Sequence, residues 1–209
     1  MSPNDDRRPL LILDCDGVLM HFLEPFTRWL RERHELELRM ASFALSGNVL
    51  RADGTPVEDK LFRPLLDGFF DEAQETQTLL PGVADALEAL GETAELVVLT
   101  NIEPRHRAVR EVVLAREGLD LRVMPNGEGV PKGRAVAELA AGRPAVFVDD
   151  LPPHHTSVLR HAPHVGRVHL VGEEAVRAAM PAAADAHVRF DDWATAKGWI
   201  ADWFAKGAA

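Results

Sequence analysis

An α/β fold with a mainly parallel sheet is the class this sequence predicts, and three short apolar runs carry the prediction. They are "LLIL" at 10–13, "ELVVLT" at 95–100 and "AVFVD" at 145–149. Each is apolar without interruption and bounded by turn formers or charges, as suits a strand buried on both faces. "GRVHLV" at 166–171 is a weaker fourth. Helical patterns lie between them, and strands alternating with helices indicate parallel pairing.

Taken in order, the helices announce themselves by punctuation. "GVADALEALGE" follows Leu80-Pro81. "EPRHRAVREVVLAREG" has Pro104 early and Gly118 at its end, and "PKGRAVAELAAG" runs from Pro131 to Gly142. Proline near a helix start and glycine past its end is the expected asymmetry. The closing "DDWATAKGWIADWFAKG" sets Trp193, Ile200, Trp203 and Phe204 on one packing face.

Residues 20–80 break the alternation, with helical patterning and no parallel strand. "FLEPFTRWLRERH" spaces Phe22, Phe26, Trp29 and Leu30 for a helix, and "KLFRPLLDGFFDEA" reads alike. "SGNVLRADGTPV" between them is a loop or hairpin tip. The expected organisation is a core of residues 1–19 and 81–209, interrupted by a small, mostly helical insertion at 20–80. Its cations Arg28, Arg31, Arg51, Lys60 and Arg63 either select an anionic substrate or form a solvated helix face.

The 209 residues suffice for one sizeable core, and 46% hydrophobic with 27% charged content is that of an ordinary globular protein. A formal charge of −10 argues against nucleic acid or an anionic membrane as main partner. A small anionic substrate stays possible if cations gather in one cleft. Cys15 is the sole cysteine, which rules out an internal disulfide. The polar "MSPNDDRRP" precedes only a short apolar run, and no stretch reaches the roughly 20 residues of a membrane span. The expectation is a cytoplasmic protein, either monomer or homodimer.

The strand ends hold the chemistry. Asp14 and Asp16 end the first run, Thr100 and Asn101 the second, Asp149 and Asp150 the third, and Lys132 opens the helix before that third strand. Ligands of parallel sheets bind beyond these carboxyl ends. Two like charges about 4 Å apart cost about 4 kcal/mol at an effective dielectric of 20. Either the carboxyl pKa values rise or a cation sits among them, and oxygen-only ligands suit Mg²⁺. With Lys132, that ion would admit a phosphate dianion.

"LDCDGVL", "VVLTN", "PKG" and "FVDD" resemble, in order, motifs one to four of the haloacid dehalogenase (HAD) superfamily. The resemblance implies a Rossmann-like parallel sheet sandwiched by helices, with residues 20–80 as a small C1-type cap. It implies phosphoryl transfer through an aspartyl-phosphate with Mg²⁺ as cofactor and a small phosphorylated metabolite as substrate. Asp14 is then nucleophile and metal ligand, and Asp16 general acid and base. Thr100, helped by the backbone at Asn101, binds the phosphoryl group, and Lys132 stabilises charge. Asp149 and Asp150 hold the metal with the Asp16 carbonyl. His154 stands where many members carry asparagine after the double aspartate.

Competing readings are weaker. An EF-hand loop beginning at Asp14 needs glycine at its sixth position and glutamate at its twelfth, where Leu19 and Pro25 stand. His154, His155, His161, His164 and His169 follow no zinc-site spacing and read as a solvated helix start and loop. Cys15 reads as a packing residue. Within the family, a phosphomutase or a catalytically silent binding protein is the alternative to a phosphatase; a dehalogenase would lack the second aspartate.

Overall fold

The computed structural model describes residues 8–40 and 45–207. The polar opening residues 1–7, residues 41–44 of the insertion, and 208–209 lie outside the described residues. Six strands pair in parallel: β1 Leu10–Leu13, β4 Glu95–Thr100, β5 Arg122–Pro125, β6 Ala145–Asp149, β7 Gly166–Leu170 and β8 Val188–Phe190. Their order is β5-β4-β1-β6-β7-β8, so β1 lies between β4 and β6. The four predicted runs form the interior of this sheet. β5 and β8 escaped the sequence reading because they are edges. β5 carries exposed Arg122 and ends in Pro125, and β8 is half-buried throughout, so neither shows a continuous apolar run.

Alternation along the strands makes two cores. Leu11, Leu13, Val98, Val146 and Val148 point to one face, and Leu10, Ile12, Val97, Leu99 and Phe147 to the other. The first face is covered by α3 (Val83–Gly91), α4 (Arg107–Arg116) and α8 (Trp193–Gly207), the second by α5 (Gly133–Ala140) and α6 (Pro152–His161). On α8, Trp193, Ile200 and Phe204 are buried as expected, while Trp203 is half-buried and lies over Gly166. No helix among the described residues is long and apolar enough to cross a membrane.

The inserted segment holds α1 (Leu23–His34), a two-stranded antiparallel hairpin of β2 (Glu37–Leu38) and β3 (Val49–Leu50), and α2 (Asp59–Glu72). The hairpin resolves the loop-or-hairpin alternative. Phe22, Phe26, Trp29, Phe69 and Phe70 pack together with ring centroids 5.1–6.3 Å apart. The segment leaves and rejoins the core side by side: Met20 bridges Leu79, His21 N–H donates to Thr78 O at 2.9 Å, and Leu80 N–H to Leu19 O at 2.8 Å.

Helices α5 and α6 touch where Gly133 meets Ser157. The Gly133 N–H donates to Ser157 Oγ at 3.1 Å, and a Cβ on Gly133 would lie 2.2 Å from the Ser157 carbonyl oxygen. The last residue of "PKG" is therefore a packing requirement. Gly133→Ala should lose about 2 kcal/mol or more in urea denaturation, because both helices must separate to admit one methyl group. An unchanged midpoint would refute the contact.

Candidate active site

Register places the predicted residues together. Leu13 pairs with Val98 on one side and Val148 on the other, and the Asp14 N–H donates to Val148 O at 2.9 Å. Asp14, Thr100 and Asp149 therefore emerge from three adjacent strand ends. Asp14, Asp149 and Asp150 each offer an oxygen within 4.8 Å of the others. Gly17 makes the approach possible: at φ +79° it turns the chain in the left-handed region, and a Cβ there would sit 2.9 Å from Asp150 Oδ2.

Lys132, 1% exposed, lies 2.7 Å from both Asp14 Oδ1 and Asp149 Oδ2. Burial opposes its charge, but the two carboxylates outweigh burial and hold its pKa above that of an ordinary lysine. Burial raises Asp149 too, yet Lys132 wins and its pKa ends below the usual range. Burial pushes Asp14 up to about 7 despite Lys132, with Asp149 adding to the rise. Burial and then Asp149 raise Asp150 well above an ordinary carboxyl. One ammonium thus balances part of a three-carboxylate cluster, and the remainder is the environment that favours a hard divalent cation. Asp149 already accepts from Lys132 and from the Leu151 N–H at 2.8 Å, which leaves Asp14 and Asp150 as the more available oxygens.

Asp16 is half-buried, and its partners were invisible to sequence reasoning. Arg110, on α4 and fully buried, donates through Nη2 to Oδ1 at 3.0 Å and Oδ2 at 3.2 Å; Gln77 Nε2 donates to Oδ1 at 2.7 Å. Within "RHRAVREV" nothing marks Arg110 as different from its solvated neighbours. Cys15 is buried, receives Arg110 Nη1 at 3.4 Å, and its thiol is pushed by burial up to about 12, as befits packing. Thr100 is buried at the rim. The Asn101 side chain instead braces the β5–α5 loop, donating to Val130 O at 2.9 Å and accepting from Asn126 at 3.1 Å.

The histidines correct the sequence reading. His154, His155 and His169 are buried, where a solvated helix start and loop was expected. His169 Nδ1 accepts from the Ala183 N–H, so Nε2 carries the proton and donates to the Asp150 carbonyl at 2.9 Å. His155 Nε2 lies 3.0 Å from the Asp149 carbonyl. These rings support the backbone of the double-aspartate loop. Four of the insertion's five named cations are paired away from these groups: Arg28 to Glu24 (2.7 Å), Arg51 to Pro56 O (2.9 Å), Lys60 to Glu58 (2.7 Å), and Arg63 to Glu103 (3.0 Å) and Glu128 (2.7 Å); Arg31 borders a groove along α1.

A cavity of about 160 Å³ opens over these groups, bordered by Asp14, Asp16, Thr100, Asn101, Lys132 and Asp150. Its remaining wall is mainly apolar. Phe22, Leu23, Met40, Leu45, Leu66 and Phe70 come from the inserted segment. Leu151, Val176 and Met180 come from the core, beside His154 and Glu173.

Lys132→Met should destabilise the fold by about 3–5 kcal/mol at pH 8, since it leaves buried carboxylates without a counter-charge. The loss should shrink at pH 5, where those carboxyls bind protons. Urea denaturation at both pH values reads this, and an equal loss at each would refute the charge argument.

No protein-family model matches the chain, and no curated protein matches it in sequence. Solved structures do match in fold. A HAD family hydrolase from Deinococcus radiodurans R1, with bound phosphate and sodium, is 20% identical with a TM-score of 0.64, covering 94% of this chain and 96% of its own. A predicted phosphoglycolate phosphatase from Haemophilus somnus 129pt is 21% identical with a TM-score of 0.63, covering 92% and 97%. A HAD-hydrolase from Bacillus subtilis bound to magnesium is 12% identical with a TM-score of 0.58, covering 93% and 99%. The chain has the α/β fold of the HAD-type hydrolases over nearly its whole length.

Proposed function

We propose that this chain is a Mg²⁺-dependent phosphatase of the HAD superfamily that hydrolyses a small phosphorylated metabolite through an aspartyl-phosphate on Asp14. One observation carries the reading: a nucleophile, an acid–base carboxyl, a hydroxyl donor and a buried cation, Asp14, Asp16, Thr100 and Lys132, border a single cavity. The hydrolase chemistry named for its structural neighbours supports it.

In the first half-reaction an Asp14 oxygen attacks phosphorus, the ester P–O bond breaks, and Asp16 delivers a proton to the departing oxygen. In the second, Asp16 takes a proton from water as that water attacks phosphorus, the bond to Asp14 breaks, and phosphate leaves. Thr100 donates to a phosphoryl oxygen, and Lys132 offsets charge on Asp14 and the phosphoryl group. Arg110 and Gln77 hydrogen-bond the Asp16 carboxyl and so orient it for both proton transfers. Asp14, Asp150, Asp149 and the Asp16 carbonyl would hold Mg²⁺, whose chemistry here is neutralising phosphoryl charge. Residues 20–80 act as a cap that closes over the ester and excludes water.

Asp14→Asn should reduce Mg²⁺-dependent phosphate release from p-nitrophenyl phosphate to background; release that survives would eliminate Asp14 as nucleophile. Metal and pH are also linked. The folded pKa of Asp14, about 7, lies above its ordinary 3.8, so the metal-free folded state holds an extra proton between those values. The contribution of this group to stability therefore falls as pH rises from about 4 to 7. Mg²⁺ must displace that proton, so its stabilisation should grow over the same window. Thermal denaturation with and without Mg²⁺ at pH 5 and 7.5 tests this, and a shift independent of pH would contradict it.

A further inference from the structure

Beyond the phosphoryl seat, the cavity's own described lining offers no free cation to a second negative charge. Among the described residues that border it, Lys132 is the one Lys or Arg, and its ammonium already lies 2.7 Å from both Asp14 and Asp149. Arg110 is spent on Asp16, while Arg28 and Arg31 border a neighbouring groove along α1 that meets the cavity at Leu23 and Glu173, and Arg28 is paired there with Glu24 at 2.7 Å. His154 does not supply the missing charge, because burial depresses its pKa and keeps the imidazole neutral.

The rest of the described lining is one buried carboxyl and hydrocarbon. Glu173 is buried, and its Oε1 accepts the Leu23 N–H at 2.8 Å and the Phe22 N–H, which fixes it at the start of α1. Leu66 and Phe70 from α2 and Met180 from the core border the same cavity. A carboxylate or second phosphate placed here would lose its water, find no cation, and face Glu173 and Asp16. A many-hydroxyl sugar would leave hydroxyls unpaired against methyl and phenyl groups.

We propose that the ester hydrolysed here carries an apolar, uncharged leaving group, selected by the apolar lining to which Leu66, Phe70 and Met180 contribute. The proposal rests on the phosphatase reading, and its test separates the two. Three esters are compared by kcat/KM with Mg²⁺: benzyl phosphate, 4-carboxybenzyl phosphate, which adds only a carboxylate, and phosphoglycolate. Benzyl phosphate should lead both acids by about tenfold or more, and Leu66→Lys should shrink or invert that lead by supplying a cation. Release that is lost in Asp14→Asn but favours the acids, or ignores the carboxylate, overturns the leaving-group assignment and leaves the phosphatase reading standing. Release from none of the three overturns the phosphatase reading. Calorimetry of wild-type protein with benzylphosphonate against 4-carboxybenzylphosphonate then reads the cavity alone: tighter binding of the uncharged compound supports the assignment, and equal binding overturns it.

Discussion

Lys132 keeps its charge in a place where an isolated ammonium would give it up. It is 1% exposed, and the compensation comes from two carboxylate oxygens at 2.7 Å, one just past the end of β1 and one on the last residue of β6. That arrangement ties three elements into one electrostatic unit: the central strand, its neighbour, and the start of α5. It also divides the work among the carboxyls. Asp149, facing the ammonium and the Leu151 N–H, stays ionised, while burial and then the charge of Asp149 raise the pKa of Asp14 and of Asp150. An acidic cluster with one lysine is thus neither neutral nor satisfied, and the unsatisfied part is what the proposed divalent cation would neutralise.

Holding that unit requires the backbone to come unusually close at two points. Gly17 lets Asp150 lie over the turn that follows β1, and Gly133 lets α5 settle on Ser157 of α6. The double-aspartate loop is supported from beneath by His155 and His169, whose rings contact successive carbonyls of that loop and lie 5.5 Å apart. Neutral imidazoles suit this position. A charged side chain would add to an already strained charge balance, whereas a ring N–H satisfies a buried carbonyl without one.

Much of this was legible because local pattern and chemistry agree along the interior of the sheet. A strand buried on both faces must be continuously apolar, so β1, β4 and β6 declare themselves, and polar residues at their carboxyl ends stand out against that background. Edge strands have one solvated side and no such signature, which hid β5 and β8. Sequence also failed wherever a polar residue's partner lies far along the chain. Arg110 meets Asp16 across 94 positions and Glu173 meets Leu23 across 150, and no local spacing encodes either contact. The histidines were misjudged for the same reason. Their burial is set by β7 packing beside β6, while the adjacent "PPHH" has the composition of an exposed turn.

The cavity joins two environments that are hard to keep in one protein, a cluster of charges and a hydrocarbon wall. Charges act most strongly where water is absent, and the wall supplies that absence only while the inserted segment covers it. The seat of that segment decides what uncovering the wall costs. On its outer side it meets the core through Arg63 with Glu103 and Glu128, and through Arg105 with Asp67 and Asp71, pairs that are largely exposed. Exposed ion pairs of this kind contribute little each and exchange readily with water. The aromatic cluster is not separate from that seat: the buried residues of the insertion and those of the sheet's first face form one continuous hydrophobic core, and Phe70 lies 5.6 Å from the His106 ring. Raising the proposed cap would therefore expose apolar surface as well as break ion pairs, and the apolar share is the larger cost.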